Sequence, residues 1–231
     1  MYLLEGNIGV GKSTFLKLLQ KFCPAITVIQ EPQTNWSGQS YGQSLLGRFY
    51  EDPKRWAYTI ETLAMVSRIK DHDEVLEQGN PHCLMERSVY SGHYCFAYND
   101  FASGYFSDME WAIYSKVADF LLQKNMPPLG FVYLKADSQV CLDRIKKRNR
   151  KGEENITFDY LEHIGRWHDK FLIEHEGVTE SLKHVPVLVL DANCNILADE
   201  ARLLEYINKV EQFICQRQPR VIQNKIQEHS L

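Results

Sequence analysis

The fold of this chain is decided by a stretch near its start, which reads Gly6-Asn7-Ile8-Gly9-Val10-Gly11-Lys12-Ser13-Thr14. The stretch matches the pattern GxxxxGK(S/T), in which glycines let backbone N–H groups surround phosphate oxygens. An apolar run, residues 2–5, precedes it and a helical pattern follows it, which is the context that the motif requires. We therefore predict an ATP-binding loop in which Lys12 contacts the β- and γ-phosphates and Ser13 contacts Mg²⁺.

Outside this loop, short apolar runs alternate with longer amphipathic stretches. The runs predict strands over residues 2–5, 25–30, 83–86, 129–135 and 185–190. The amphipathic stretches predict helices from residue 11 onward and over residues 44–77, 108–124, 138–149, 158–175 and 196–215, with Pro53 at a fresh helix start. This alternation predicts an α/β fold, in which helices cover both faces of a mostly parallel sheet and ligands bind at the carboxyl ends of the strands.

Length and composition fit a single domain over residues 1–215 with a polar tail at 216–231. The formal net charge of -4 argues against binding to nucleic acid, because such proteins usually carry a basic surplus. Six cysteines without a CxxC pair indicate a reducing compartment. We see no targeting leader and no apolar run that could span a membrane, so we expect a cytoplasmic protein with no membrane partner.

Acidic residues end two of the predicted strands. Glu31 ends the second strand, and its carboxylate is expected to face the phosphate loop, where it can accept the proton of an attacking hydroxyl. The same position also suits an ordinary surface acid. Glu86 ends the third strand and can hold Mg²⁺ as a Walker-B acid does, while Arg87 beside it can steady the acceptor. Asp191, after the last strand, is a rival for the Walker-B role.

The densest basic cluster, Arg144 to Lys151, lies where a predicted helix ends before a polar loop. Arginines at such a place can close as a lid over a transferring phosphoryl group and stabilise its charge. We therefore predict a catalytic lid that contains Arg144, Arg148 and Arg150. A solvated helix face or a patch that binds polyanions is the alternative reading of the same cluster.

Taken together, these motifs resemble the deoxynucleoside kinases over about residues 2–195. This family includes deoxycytidine kinase, deoxyguanosine kinase, mitochondrial thymidine kinase and the insect multisubstrate enzyme. The segments that carry the resemblance are the phosphate loop, Glu31-Pro32 with Trp36, Tyr50 with residues 53–69, Glu86 to Phe96, and the arginines before Tyr160-Leu161-Glu162. The resemblance implies a P-loop kinase fold with a five-stranded parallel sheet and an Arg-rich lid. It also implies a homodimer that transfers the γ-phosphate of ATP to the 5′-hydroxyl of a deoxynucleoside.

The resemblance further implies roles for individual residues. Glu31 would be the general base for the 5′-hydroxyl, Arg87 would hold both groups, and Glu86 would help Ser13 to hold Mg²⁺. The loop after Asp191 would lie near the adenine of ATP. The residues implied to bind the deoxynucleoside are Glu31, Trp36, Tyr50, Glu61, Arg68, Arg87, Gly92, Phe96 and Glu153, with Trp36 and Phe96 flanking the base and Tyr50 and Glu153 at the 3′-hydroxyl.

Two positions depart from the family pattern. Glu61 stands where the family has a glutamine. When ionised it accepts hydrogen bonds without donating any, so it suits guanine, whose edge offers two adjacent N–H donors. Gly92 stands where the deoxycytidine kinase pattern has an aspartate, which leaves room near the base and leaves Arg68 to pair with Glu61. We expect broad or purine-leaning specificity.

Two other functions would use the same loop. A nucleoside monophosphate kinase such as thymidylate kinase shares the loop and the lid, but its acceptor phosphate needs no proton removed, so Glu31 favours a hydroxyl acceptor. A guanine-nucleotide switch would carry Asn-Lys-x-Asp, and the nearest matches, Asn208-Lys209 and Asn224-Lys225, lack the aspartate.

Overall fold

The central strand β1 (Tyr2–Gly6) is buried on both faces, which explains why its sequence is a nearly continuous apolar run. Leu3 packs into one hydrophobic cluster, and Tyr2 and Leu4 pack into a second cluster on the opposite face. The structure is a computed structural model that describes residues 1–31, 44–124, 127–150 and 152–215. Trp36 and the predicted tail lie outside these residues.

Four further strands extend the sheet: β2 (Thr27–Ile29), β3 (Cys83–Glu86), β4 (Gly130–Lys135) and β5 (Val187–Asp191). The order across the sheet is β2-β3-β1-β4-β5, and every neighbouring pair is parallel. Leu4 lies opposite Glu86 of β3, and Gly6 lies opposite Leu134 of β4. The carboxyl ends of the strands therefore meet at one edge, and the predicted parallel α/β fold is confirmed.

The helices that the structure describes are α1 (Lys12–Phe22), α2 (Leu45–Glu51), α3 (Pro53–Glu77), α4 (Val89–Ser91), α5 (Tyr98–Ala102), α6 (Asp108–Lys124), α7 (Ser138–Arg148), α8 (Phe158–Asp169), α9 (Glu180–Lys183) and α10 (Glu200–Cys215). Helices α1, α7 and α10 cover the sheet face of Tyr2 and Leu4, whereas α3 and α6 cover the face of Leu3. Within the described ranges, no helix has the length and apolarity to cross a membrane.

Three elements begin at least two residues later than predicted. Strand β2, at the edge of the sheet, has three residues rather than six. Strand β5 begins after Pro186, because proline has no N–H to donate to a ladder. Helix α10 begins at Glu200 rather than at residue 196, because Asp199 accepts a hydrogen bond from the Arg202 N–H at 3.0 Å and caps the helix there.

The segment between β3 and α6 contains helices that the sequence did not predict. Helices α4 and α5 flank a π-helical segment, Gly92–Ala97, in which each hydrogen bond spans one residue more than in an α-helix. Nine of the twelve residues from 89 to 100 are buried, so the apolar residues of this segment do not show the one-sided spacing of a surface helix. A second π-helical segment, Lys170–Glu174, continues α8 to the predicted end at His175.

Two side-chain caps fix where α2 and α3 begin. Ser44 Oγ accepts from the Gly47 N–H at 3.1 Å, and Asp52 Oδ1 accepts from the Arg55 N–H at 3.3 Å. Pro53 occupies the first turn of α3. A backbone N–H in this turn has no partner within the helix, so proline, which lacks an N–H, is tolerated there. The break between the two helices lets both of them contribute side chains to the same cleft.

Candidate active site

A cleft of about 1880 Å³ lies at the carboxyl ends of the strands. Its walls come from the phosphate loop (residues 6–14), α2, α3, the end of α7 with the segment that follows, and the loop after β5. Sites for one small molecule usually measure about 300–1,000 Å³. The cleft is therefore large enough for a donor and an acceptor side by side.

The phosphate loop joins β1 to α1, as the sequence predicts. Gly6, Gly9 and Gly11 have φ values of 147°, 79° and 109°, which side chains other than glycine rarely adopt. A Cβ atom at Gly9 would also lie 2.5 Å from the carbonyl oxygen of Cys141. Glycine is thus required for the loop to pack against α7, and the start of α1 directs N–H groups and partial positive charge toward the cleft.

Lys12 is buried beneath this loop. Its Nζ donates to the carbonyl oxygens of Gly6 and Asn7, both at 2.9 Å. Burial lowers the pKa of Lys12 to about 7, and the positive charge of Arg87 acts in the same direction. A bound phosphate would oppose both effects and favour the protonated ammonium, so Lys12 is suited to sense an anion in the loop.

Ser13 and Glu86 are in contact. Ser13 Oγ donates to Glu86 Oε1 at 3.1 Å, and Oε2 lies 3.2 Å away. A hydroxyl and a carboxylate supply the oxygen ligands that Mg²⁺ prefers. This contact favours Glu86 over Asp191 as the acid beside the phosphate loop.

Two arginines hold the carboxylate of Glu31. Arg68 donates from Nε and Nη2 to Oε1 at 3.1 and 2.9 Å, and Arg87 Nε lies 3.3 Å from Oε2. Burial opposes ionisation of Glu31, but the charges of Arg68 and Arg87 outweigh burial and lower its pKa. Glu31 is therefore a carboxylate at neutral pH and can accept a proton.

Arg87 connects this acid to the phosphate loop. Its Nη1 donates to the carbonyl oxygen of Gly6 at 3.4 Å, while its guanidinium carbon lies 4.6 Å from the centre of the Phe96 ring. The φ of Arg87, 63°, is uncommon for a residue other than glycine. Its N–H donates to the carbonyl oxygen of Leu4 at 2.9 Å, and this hydrogen bond helps to hold the backbone in that conformation. Such strained backbone is typical of functional sites.

Arg68 makes a contact that the sequence does not predict. Its charge acts on Glu61, the expected partner, and its guanidinium also donates two hydrogen bonds to Glu31. A Cβ atom at Gly92 would lie 2.7 Å from Arg68 Nη1. The room that Gly92 leaves is thus filled by the arginine, because no side chain at that position competes for the space.

Glu61 lies in the wall of the cleft formed by α3 and is 8% exposed. Burial raises its pKa to about 7, although the charges of Arg68 and Arg87 favour its ionised form. Tyr50 and Phe96 line the same cleft, as predicted for residues that bind a sugar and a base. The proposed partner of Phe96, Trp36, falls outside the described part of the chain.

Two of the three predicted lid arginines contact Glu153. Arg148 Nη2 lies 2.7 Å from one carboxylate oxygen of Glu153, and Arg150 Nη1 lies 3.5 Å from the other. Glu153 is buried in the cleft wall, and its charge adds to the burial that raises the pKa of Tyr50. The two residues predicted to bind a 3′-hydroxyl are therefore within electrostatic reach of each other.

Arg144 makes a different set of contacts. Its Nη1 donates to the carbonyl oxygens of Val10 and Ala192 at 2.9 and 2.8 Å, and its Nη2 donates to that of Cys194 at 2.9 Å. These carbonyls belong to the phosphate loop and to the loop after β5. Arg144 therefore ties together the two loops on one side of the cleft rather than joining the arginines around Glu153.

Asp191 lies beside the cleft rather than in its wall. Its Oδ1 accepts from the Asn193 N–H at 2.9 Å, and its carbonyl oxygen accepts from the Tyr206 hydroxyl at 2.7 Å. Residues 192–197 line the cleft. Asp191 thus shapes the loop predicted to lie near adenine.

The sequence predicts no role for two acids, Glu5 and Asp100, that are buried in the structure. Glu5 lies inside β1 and accepts a hydrogen bond from Ser88. An acid inside an apolar strand was the signal that could have drawn attention to it. Asp100 lies on α5 and is 1% exposed. No pattern pointed to Asp100, because the segment around it had no predicted structure.

Comparison with known proteins agrees with this geometry. A family model described as deoxynucleoside kinase matches residues 3–215. Deoxycytidine kinase 2 from Gallus gallus is 36% identical over 91% of this chain and 89% of its own. Deoxyguanosine kinase, mitochondrial, from Xenopus laevis is 33% identical over 92% of this chain and 88% of its own. Deoxycytidine kinase from Homo sapiens is 33% identical over 91% of this chain and 89% of its own length.

Proposed function

Since the chain belongs to the deoxynucleoside kinase family, we propose that it transfers the γ-phosphate of ATP to the 5′-hydroxyl of a deoxynucleoside, with Glu31 as the general base. Phosphorylation of deoxynucleosides is the activity of this family, and the chain is such a kinase. A hydroxyl acceptor needs a base, whereas a nucleoside monophosphate does not.

The observation that carries the proposal is the position of Arg87. One guanidinium faces the carboxylate of Glu31 and also donates to Gly6 in the phosphate loop. The acid that would take the proton and the loop that would hold the phosphates are thus bridged by a single side chain. An acceptor hydroxyl beside Glu31 would lie between the base and the phosphoryl group, which is the arrangement that in-line transfer needs.

Charge stabilisation would come from the basic side chains around the cleft. Lys12 is placed within the phosphate loop, and a transferring phosphoryl group spreads negative charge over its oxygens. Arg148 and Arg150 are paired with Glu153 at the edge of the cleft. If Arg148 and Arg150 left Glu153 and contacted the phosphoryl oxygens instead, the lid would close over the reacting groups.

The contact between Ser13 and Glu86 supports Mg²⁺ as the cofactor. Both side chains offer oxygen atoms, and Ser13 Oγ at the start of α1 lies 3.1 Å from Oε1 of Glu86. Ser13 and Glu86 would hold the ion there. Bound Mg²⁺ would supply positive charge that offsets the charge of the β- and γ-phosphates.

Glu61 supports a purine-leaning preference. As a carboxylate it offers two acceptor oxygens, which match the N1–H and N2–H donors of guanine. As a carboxylic acid it would offer a donor beside an acceptor, as glutamine does, and would then suit cytosine and adenine as well. With a pKa of about 7, both forms are present near neutral pH, so the specificity is broad but favours deoxyguanosine as the pH rises.

Exchange of Glu61 for glutamine should move the preference away from guanine. We expect Glu61→Gln to lower the ratio of kcat/KM for deoxyguanosine to that for deoxycytidine by about 10–100-fold, since an amide N–H would face a donor of guanine. The ratio is measured with the four deoxynucleosides and ATP, with products identified by mass. Glu77→Gln, at the exposed end of α3, is the matched control. A wild-type enzyme that prefers thymidine and leaves deoxyguanosine untouched would contradict the guanine argument.

An apolar face of α6 supports the proposed homodimer. Met109, Ile113, Val117 and Phe120 follow one another at helical spacing and are 41–70% exposed. Val66 on the neighbouring helix α3 is 54% exposed. A contiguous apolar patch of this kind is typical of a protein–protein interface, and a second copy of the chain would cover it.

Charges introduced into this face should separate the subunits. We expect the wild type to have a solution mass near twice 26.9 kDa and the double variant Ile113→Asp, Val117→Asp to have a mass near 26.9 kDa, because two buried carboxylates oppose association. Light scattering after size exclusion measures the mass. Lys209→Asp, which lies on α10 on the other side of the sheet, serves as control. A monomeric wild type would rule out the homodimer.

The thiols support a reducing compartment such as the cytoplasm. Cys23, Cys83, Cys95 and Cys141 are buried and free, and Cys194 and Cys215 are free and half-buried. The names of the relatives include one that is described as mitochondrial. Cytoplasmic localisation therefore stays a prediction.

A further inference from the structure

We propose that Glu5, a buried acid of the central strand β1, is a positioning residue that holds Arg87 in its working conformation through the hydroxyl of Ser88. The inference rests on the proposed function, because Arg87 is the residue that bridges the proposed base and the phosphate loop. Glu5 itself would touch neither substrate. It would act on the reaction only by fixing where Arg87 lies.

Glu5 stands at a place where an acid is unusual. It lies in β1, directly before the first glycine of the phosphate loop, and has no exposed surface. The residues before it, Leu3 and Leu4, belong to the hydrophobic clusters on the two faces of the sheet. Acidic residues are almost never fully buried unless they are paired. The partner of Glu5 therefore indicates what this acid does.

The partner of Glu5 is Ser88, the residue that follows Arg87. Ser88 Oγ donates a hydrogen bond to Glu5 Oε1. The same Oγ accepts from the Ser91 N–H at 3.2 Å and thereby caps α4, while the Ser88 carbonyl oxygen accepts from the Ser91 hydroxyl at 3.3 Å. A serine hydroxyl has a single proton to donate. Because Ser88 donates this proton to Glu5, the acid helps to fix both Ser88 and the start of α4.

The backbone of Arg87 is held by β1 on both sides of its Cα. On one side its N–H donates to the carbonyl oxygen of Leu4 at 2.9 Å, and on the other side Ser88 is bonded to Glu5. Between these two anchors Arg87 has a φ of 63°, in the left-handed region that favours glycine. A strained conformation persists only where the surrounding contacts over-determine it. The contact between Ser88 and Glu5 is one of these contacts.

The conformation of Arg87 determines which groups its side chain reaches. Its Nε lies 3.3 Å from Glu31 Oε2, and its Nη1 donates to the carbonyl oxygen of Gly6 at 3.4 Å. A return of the backbone to negative φ would reorient the Cα–Cβ bond and move the guanidinium away from these groups. Misplacement by about 1 Å in an active site can cost about 100-fold in rate. Loss of the Ser88–Glu5 contact should therefore slow catalysis without removing any group that touches a substrate.

Charge is a second route by which Glu5 could act on the site. Burial raises the pKa of Glu5, and the hydrogen bonds of Ser88 and Ser91, together with the charges of Arg87 and Lys12, offset only part of this effect. An ionised Glu5 would support the charges of both cations. Glutamine separates the two routes, because it keeps an acceptor for the Ser88 hydroxyl and carries no charge.

The test breaks the hydrogen bond from each side. We expect Glu5→Leu and Ser88→Ala to lower kcat by about 10–100-fold, since Arg87 loses the anchor that follows its Cα. Glu5→Gln should retain kcat within about five-fold, because its amide oxygen still accepts from Ser88. Val210→Ala, in the core on the opposite face of the sheet, controls for a general loss of packing and should leave kcat unchanged.

Two results of this comparison would overturn the inference. One is a wild-type kcat in both Glu5→Leu and Ser88→Ala. The other is a loss in Glu5→Gln as large as that in Glu5→Leu, because the charge of Glu5 and not its hydrogen bond would then support the reaction. Ser88→Ala keeps the test decisive if Glu5→Leu does not fold, since it breaks the same hydrogen bond without changing β1.

A double-mutant cycle shows whether Glu5 acts through Arg87. Lysine at position 87 keeps the charge but lacks the planar fork that reaches two partners. In Arg87→Lys the bridge is already lost, so the addition of Glu5→Leu or Ser88→Ala should change kcat by no more than about two-fold. Equal fold losses in the Arg87→Lys and wild-type backgrounds would overturn the inference. Rates of ADP release with a saturating deoxynucleoside supply kcat for all variants.

The pH profile of kcat/KM separates positioning from a loss of folded protein. The charge of Arg87 helps to lower the pKa of Glu31, so displacement of Arg87 should raise that pKa and move the acidic limb of the profile to higher pH. The charged or titratable groups near Glu31 are Lys12, Glu61, Arg68, Asp71 and Arg87. An unmoved acidic limb in Glu5→Leu and Ser88→Ala, with a lower melting temperature, would assign Glu5 to the fold alone.

These outcomes differ from a failure of the proposed function. If the wild type phosphorylates no deoxynucleoside, the proposed function itself is wrong. If the wild type is active and Arg87→Lys is impaired, but Glu5→Leu and Ser88→Ala match the wild type, the kinase mechanism stands and Glu5 does not position Arg87.

Discussion

Replacement of Glu31 by glutamine should lower kcat by roughly 10²–10⁴-fold, the usual contribution of a general base. Glutamine keeps the size of the side chain and can still accept a hydrogen bond from Arg68 or Arg87, but it cannot take the proton of the 5′-hydroxyl. The effect should fall mainly on kcat rather than on KM, since the proton moves during the chemical step. Steady-state rates of ADP release with a saturating deoxynucleoside measure it.

The pH dependence provides a second check on Glu31. Burial opposes its ionisation, but the two arginines lower its pKa, so the active carboxylate persists down to acidic pH and the rate should fall as the carboxylate protonates. Glu77→Gln, an exposed replacement at the end of α3, is the matched control. Turnover of Glu31→Gln within a few-fold of the wild type would remove Glu31 from the role of base.

Replacement of Lys12 by methionine should lower kcat/KM by about 10²–10³-fold, the loss seen when one preorganised donor to a charged transition state is removed. Methionine preserves the apolar stem of the buried side chain and removes its ammonium group, which donates to Gly6 and Asn7. The change therefore acts on charge rather than on packing. Initial rates at several ATP concentrations measure the loss, and Lys21→Met at the exposed end of α1 is the control.

Proton uptake on nucleotide binding separates the charge of Lys12 from a general disturbance of the loop. In the free protein, burial lowers the pKa of Lys12 to about 7, so part of the population is neutral. A phosphate anion raises this pKa, and ATP binding near pH 7.5 should therefore take up protons. Titration calorimetry in buffers of different ionisation enthalpy detects the uptake. Equal proton uptake in Lys12→Met and wild type would show that another group titrates.

The parts of the fold that the sequence predicts well are those in which local pattern and burial agree. Strand β1 is buried on both faces and reads as an apolar run, and α6 has the predicted bounds, Asp108–Lys124. The helices between β3 and α6 escaped prediction, because burial on most sides removes the amphipathic spacing. The length of the edge strand β2 was overestimated, because this strand pairs with β3 on one side and is partly exposed.

For the site, the sequence indicates which residues end strands but not which of them touch. The phosphate loop, Glu31, Glu86 and Arg87 all lie at or just after the carboxyl ends of strands in one parallel sheet, so their convergence was predictable. The contact of Arg68 with Glu31 was not, because it joins residues 37 positions apart and depends on the space beside Gly92. The contacts of Arg144 with Val10 and Ala192 likewise arise from the packing of loops rather than from any motif.

The measurement that tests the central claim most directly is the transfer of label from ATP carrying a radioactive γ-phosphate. The protein is incubated with Mg²⁺ and either deoxyguanosine or 2′,5′-dideoxyguanosine, which lacks the 5′-hydroxyl, and the nucleotide products are separated. The account predicts labelled deoxyguanosine 5′-monophosphate from the first nucleoside and no labelled nucleoside product from the second. Label on 2′,5′-dideoxyguanosine would contradict the account. So would the absence of transfer to deoxyguanosine and to every other deoxynucleoside that is offered.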